Sequence, residues 1–245
     1  IRLSVVVSDG HGQAARAMTR ALLAGQSPTE VLALAGRLRA TREELFEAFQ
    51  GDLTASHIFV LSEILDHIEA LEARIARFDT ALLDGLADEH NTLVLLQTLP
   101  GVDRIGAAML VVEIGTDMSA FGGADRLASW AGVCPGNNES AGKRKSGRVR
   151  KGNPYVRRLL CEFAHAARRT QSVFKSKFES LVIRRGHKRS IIAIAHKLLR
   201  TIFHMIQQQQ PYHDTSVDYQ ALSVKRNAPR WIKMLRQYGY ISAPA

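Results

Sequence analysis

Apolar residues recur along this chain at intervals of three and four, and that pattern predicts an all-α fold. The most regular stretch holds Leu61, Ile64, Ile68, Leu71, Ile75, Phe78 and Leu82, spaced 3, 4, 3, 4, 3, 4. Glu63, Asp66, Glu69, Glu72, Arg74, Arg77 and Asp79 fill the positions between. A seam this narrow, sustained over roughly three heptads and about 30 Å, wants a helical partner. The partner is either a second copy of the chain, in a coiled coil that joins subunits, or the helical stretch at 29–50 folded back on the seam. Two capping boxes organise that earlier stretch, Ser27-Pro28-Thr29-Glu30 and Thr41-Arg42-Glu43-Glu44. Each offers a hydroxyl as N-cap and a glutamate three residues on. The residues before Ser27, with Ser8-Asp9-Gly10-His11-Gly12 among them, predict no definite element.

Gly85 and the polar run Asp88-Glu89-His90-Asn91 close the heptad helix and mark a boundary. We therefore expect linker helices and an oligomerising coiled coil over 1–90, a second helical domain over 91–210, and a tail over 211–245 to which the pattern assigns no role. In the second domain, Leu99-Pro100-Gly101-Val102-Asp103-Arg104-Ile105-Gly106 separates two apolar helices in the layout of a helix-hairpin-helix. Gly101 and Gly106 permit a tight hairpin whose N–H groups, with the next helix N-terminus, can hold a phosphate. The same layout serves equally as a structural hairpin, and Asp103 in the turn would repel an anion. From Val133 to Asn153 turn formers dominate, predicting a long loop or hairpin. Asn153-Pro154 then caps a helix bearing Arg157 and Arg158. Helices follow at about 172–184 and 190–209, separated at Gly186 and stopped by Pro211.

Composition narrows the class. Of 245 residues, 46% are hydrophobic and 23% charged, as in globular domains. No apolar run reaches the length of a membrane span. Cys134 and Cys161 are the two cysteines, which leaves no disulfide framework and no four-cysteine zinc site. We read them as reduced thiols of a cytoplasmic protein. The sequence opens on Ile1 without the charged and apolar regions of a secretory signal, and we expect it to be a piece of a longer protein.

Charge changes the picture more. Residues 137–206 carry 18 Lys and Arg against Glu139, Glu162 and Glu179, a net +15, so the remainder of this +10 chain is −5. Such asymmetry points to a polyanion bound by one region, with nucleic acid as the default and a merely solvated basic surface as the alternative. The candidate contacts are Lys143, Arg144, Lys145, Arg148, Arg150 and Lys151 in the loop, Asn153, Arg157 and Arg158 after it, and Gly101 and Gly106 in the helical hairpin.

The candidate chemistry lies in the same loop. Ser140-Ala141-Gly142-Lys143 sets a hydroxyl beside several cations. A serine attacks a phosphodiester only with help from a base, a metal or a positive field, and lysines and arginines would stabilise the charge that builds on the phosphoryl oxygens. From residue types alone, Ser140 is equally a turn serine in a phosphate-binding loop. Metal readings are weaker. Glu162-x-x-His165 is half of a helical two-metal pattern and lacks its second copy. Three acids in the basic segment are too few for a two-metal nuclease centre.

One set of motifs goes further. Leu99-Pro100-Gly101-Val102, Glu113-Ile114-Gly115, Phe121, Arg126-Leu127-Ala128-Ser129-Trp130-Ala131-Gly132-Val133-Cys134-Pro135, Ser140-Ala141-Gly142-Lys143 and Lys151-Gly152-Asn153-Pro154-Tyr155-Val156-Arg157 occur in that order. Together they resemble the C-terminal domain of the IS110/IS1111 family of bacterial insertion-sequence transposases, over about residues 92–207. The residues before them resemble that family's linker and coiled coil. The resemblance implies a DNA transposase or recombinase acting on the nucleoid, with Ser140 as the nucleophile that forms a covalent phosphoserine with DNA. It implies partners in DNA, in a structured guide RNA for some members, and in further copies of the chain. It also implies an N-terminal RuvC-like domain with a magnesium site. No such βαβ segment or carboxylate set is legible here, so no cofactor is expected on this chain and metal-dependent cleavage would need that domain from outside this sequence. The rival expectation is a non-catalytic nucleic-acid-binding or oligomerisation module.

Overall fold

A computed structural model describes residues 2–36, 38–136, 138–146, 149, 151–215 and 217–241, without the side chains of Ser4, Asn138, Glu139, Ser140, Lys143, Arg144, Lys145, Ser146 and Gln220. The all-α expectation holds, with one short two-stranded hairpin as the departure. The chain forms two compact units, Ile1–Phe78 and Asp79–Ala245.

In the first unit, α1 (Leu3–Val6), α2 (Gln13–Leu23), α3 (Pro28–Leu32) and α4 (Arg42–Phe49) precede the long α5 (Ala55–Asp84). Both capping boxes form: Ser27 and Thr41 accept from the N–H groups of Glu30 and Glu44, whose carboxylates reach back to the cap N–H groups. They open two short helices rather than one, because the chain turns at Gly36, where φ is +58°. A small core gathers Val7, Met18, Val31, Leu45 and Phe49. Helix α2 went unread in the sequence; Ala15, Met18 and Ala21 supply its buried stripe at threefold spacing. Its other face ties to the acids of α5. Arg16 grips Glu72 with two hydrogen bonds of 2.7 Å, and Arg20 reaches Asp66 at 2.6 Å and Glu69 at 2.9 Å. The Arg16 hydrogen bond holds the Glu72 carboxyl below its ordinary range. Leu65 is the residue α5 buries. Several seam positions stay open, with Ile64, Ile75 and Phe78 at 50%, 58% and 77% exposed, while Ile68 is half-buried and Leu82 packs against the core of the second unit.

The second unit is built around α11 (His187–Gln208). Ile191, Ile194, Ala195, Leu198, Leu199, Ile202, Phe203 and Ile206 are all buried, a stripe wide enough to serve several neighbours at once. Those neighbours are α6 (His90–Gln97), α8 (Ala124–Trp130), α9 (Pro154–Ala167) and α10 (Val173–Arg185). Helix α7 (Arg104–Ile114) packs on α6 and α9, and α12 (Tyr219–Gln237) packs on α10. One core results, in which Leu96, Leu110, Leu127, Leu160, Phe174 and Ile194 are sealed from solvent. No helix among the described residues is long and apolar enough to cross a membrane.

The turn between α6 and α7 shows what its glycines do. A Cβ on Gly101, where φ is +88°, would lie 2.6 Å from Phe163 O and Ala167 N of α9. Gly106 is buried in the first turn of α7, where a Cβ would lie 2.5 Å from Phe163 Cε1. Asp103 is the α7 N-cap, its Oδ1 accepting from Gly106 N at 2.8 Å. Both glycines let α9 approach, and a carboxylate already occupies the helix N-terminus on which the phosphate-binding reading relied.

Gly106→Ala should therefore destabilise the chain. The helix gains about 1 kcal/mol of intrinsic propensity, but the methyl overpacks the Phe163 ring at a cost of about 1–3 kcal/mol. We expect a lowered urea midpoint with an unchanged slope; a raised midpoint would show that the ring yields freely.

Candidate functional site

The loop predicted between Val133 and Asn153 is a β-hairpin. Strands β1 (Asn138–Ser140) and β2 (Lys143–Ser146) run antiparallel, with Ser140 opposite Lys143, Glu139 opposite Arg144, and a bulge between Asn138 and Glu139. Ala141 and Gly142 form the two-residue connection, both with positive φ, +49° and +74°. That is the handedness a twisted two-stranded ribbon requires of a two-residue turn. Ser140 and Lys143 are thus the pair that closes the tip. The backbone carries these statements: the side chains of Ser140, Lys143, Arg144 and Lys145 lie outside the described residues, as do Arg148 and Arg150 altogether.

The base of the hairpin is fastened. Pro135 pairs with Val149 across it. Below that bridge Gly152 runs against the turn after α8, where a Cβ would come within 2.6 Å of Trp130 O and Gly132 Cα. Asn153 N donates to Trp130 O at 3.1 Å. The Asn153 side chain works in two directions. Its Oδ1 accepts from Tyr155 N and Val156 N at 2.9 and 3.0 Å, capping α9, while its Nδ2 donates to Glu113 Oε2 of α7 at 2.7 Å. The hairpin therefore springs from the place where α7, α8 and α9 meet. Phe121 and Trp130 pack their rings 5.4 Å apart beside it.

Around this mount the predicted contacts separate into two groups. Lys151 and Arg158 are exposed and Arg157 is half-buried. Arg158 also pairs with Glu162 at 3.1 Å, one turn along α9. Asn153, by contrast, spends its hydrogen-bonding capacity on α7 and α9. Cys134 and Cys161 are free, and burial pushes both thiols up, which keeps them protonated and unsuited to attack. His165, the other half of the suspected metal pair, stacks on His187 at 5.2 Å while Glu162 turns to Arg158. Among the described residues no group of three or more His, Cys, Asp or Glu is placed to hold a metal ion. The site residues that sequence reasoning missed are Glu113 and Gly152; the only signal for them was their membership in the ordered motifs.

Residues 93–179 match the family model described as Transposase IS116/IS110/IS902 family. The chain is 28% identical over 158 residues to the insertion element IS900 uncharacterized 42 kDa protein of Mycobacterium paratuberculosis, a match covering 63% of this chain and 39% of that protein. It is 26% identical over 186 residues to a protein of Pseudomonas aeruginosa described as a probable family 20 transposase, covering 74% of this chain and 52% of that one. It is 27% identical over 138 residues to the transposase for insertion sequence element IS1111A of Coxiella burnetii, covering 53% and 37%. The chain thus spans from about a third to about half the length of these relatives.

If the Asn153 amide ties α9 to α7, Asn153→Ala should cost about 1–2 kcal/mol through the lost cap and the stranded Glu113 acceptor. Urea unfolding checks this, and a change within experimental error would mean that solvent replaces both contacts.

Proposed function

We propose that this chain is the serine-bearing helical portion of a DNA transposase, gripping DNA with its basic segment and presenting Ser140 to a scissile phosphate. The observation that carries the reading is the hairpin: within the family match, Ser140 directly precedes a two-residue turn and faces Lys143 in register, on a mount made from three helices. A rigidly based, narrow projection suits a nucleophile that must reach a backbone inside a groove, and the +15 charge of residues 137–206 supplies the attraction.

In the proposed step the Ser140 hydroxyl oxygen attacks phosphorus. One phosphorus–oxygen bond to the sugar breaks as the new one forms, and the serine proton ends on the departing sugar oxygen. The strand is left as a phosphoserine diester, so one ester replaces another and resealing needs no nucleotide energy source. Lys143, Arg144, Lys145, Arg148, Arg150 and Lys151 are the cations available to stabilise the charge on the phosphoryl oxygens. Magnesium chemistry belongs, in this reading, to the RuvC-like domain that the resemblance implies; no metal site forms among the described residues of this chain, and no step here depends on one. A structured guide RNA is a second polyanion that the same segment would accept.

The open seam of α5 completes the proposal. Apolar residues spaced as in a heptad and left exposed by their own chain fit the same seam of a second copy, which would bring two serines to one DNA assembly.

In the full-length protein, Ser140→Ala should abolish strand exchange and the covalent protein–DNA adduct while DNA affinity stays within about twofold; adduct formation by the variant would overturn the assignment. Ile68→Asp should halve the mass measured by light scattering, and an unchanged mass would remove α5 as the joining element.

A further inference from the structure

We infer that a second phosphate-binding site, distinct from the serine hairpin, lies where α10, α11 and the N-terminus of α12 meet. It is built from Lys177, Lys197 and Tyr219. The Lys197 ammonium donates to the Tyr219 hydroxyl at 3.0 Å and sits 4.7 Å from the centre of its ring. Lys177 approaches the same ring, its ammonium 5.4 Å from the centre. Phe174, sealed in the core, presents its ring to Lys197 at 5.6 Å. Tyr219 is held in place from below: its N–H donates to Ser176 Oγ of α10 at 2.8 Å, and Asp218 caps α12 by accepting from Ala221 N at 3.0 Å.

Two ammonium groups therefore converge on one tyrosine, and neither is ion-paired among the described residues. Arg200, the next cation along α11, is paired with Asp125 of α8 at 3.4 Å, and half-buried His196 lies beside it. Burial, Lys197 and Arg200 all push the Lys177 ammonium below its ordinary range, and the Lys197 hydrogen bond does the same to the Tyr219 phenol. Ring faces hold cations, but a pair drawn together without a carboxylate repels itself, and a partly desolvated ammonium keeps N–H groups in want of acceptors. Because Tyr219 accepts from Lys197, its own proton is free to point outward. Two cationic donors and one phenolic O–H gathered at one ring are a donor set for a tetrahedral oxyanion with several acceptor oxygens. A phosphate fits this set, whether in a nucleic-acid backbone or as a free ion.

The strand source is favoured by position. Asp125 and Trp130 mark opposite ends of α8, which at 1.5 Å per residue is about 10 Å long. Asp125 is joined to the Lys197 side of α11 and Trp130 to the hairpin mount, so one strand could touch both. This choice of source rests on the DNA-binding reading; the site itself does not.

The test is amine acylation of the full chain at neutral pH, read residue by residue by mass spectrometry, alone, with inorganic phosphate, or with a duplex oligonucleotide. Binding of the oligonucleotide is measured in parallel. Protection of Lys177 and Lys197 by the oligonucleotide supports the strand source, and protection by phosphate alone supports the site as one for a free anion. If the oligonucleotide binds but neither addition protects these lysines, the inference fails while the DNA reading stands. If phosphate protects and no oligonucleotide binds, the reverse holds. The paired variant Lys177→Gln/Lys197→Gln should weaken oligonucleotide binding about three- to tenfold and lower the salt slope by about 1–2. Tyr219→Phe, which keeps the ring and removes only the donor, should weaken it less, and unaltered affinity and slope in both would overturn the strand source.

Discussion

The backbone of Gly152 passes so close to the turn at Gly132 that any side chain there would strike Trp130 O and Gly132 Cα. That approach lets Asn153 N reach Trp130 O, which in turn sets the Asn153 side chain between the first turn of α9 and Glu113 of α7. Everything proposed for the hairpin depends on this knot. A two-stranded ribbon is barely stable by itself, and its tip can have a defined position only if both ends are fixed. Here they are fixed to three helices, and those helices are themselves held by α11, which carries no candidate nucleophile.

The two units differ in how they are stabilised. The second has one continuous core around a helix buried on several sides. The first has a small core and a set of partly exposed arginine–carboxylate pairs between α2 and α5. Such pairs contribute little stability in water. Their worth is geometric: they occupy Asp66, Glu69 and Glu72 on one side of α5, while Ile64, Ile75 and Phe78 stay exposed.

Much of this was legible in advance, for identifiable reasons. Capping boxes are local, so Ser27 and Thr41 could be read correctly, and the apolar stripe of α11 follows directly from its period. Helix α2 was not legible because Ala15 and Ala21 are weak apolar signals and the residues before them mimic a loop. The glycines of the α6–α7 turn were ambiguous in a specific way. Composition cannot tell a glycine that exposes its N–H to an anion from one that admits a neighbouring helix, and both Gly101 and Gly106 do admit α9. Asn153 poses the same difficulty, since a cap and a phosphate donor look alike in a sequence. The cluster at Tyr219 was out of reach altogether: Lys177, Lys197 and Tyr219 come from three helices and share no spacing.

The short connection at Ala141-Gly142 has a consequence for how such a domain can diverge. In surface loops a residue gained or lost is usually absorbed, because slack is available. A two-residue reversal has none, and shifting one arm by a single position sends each of its residues to the opposite side of the ribbon. The bulge beside Glu139 already makes one such adjustment. Point changes in this segment leave the pairing alone, whereas a single-codon insertion or deletion between Glu139 and Arg144 would break the register that sets Ser140 opposite Lys143. The hairpin should therefore vary in letters among descendants while keeping its length.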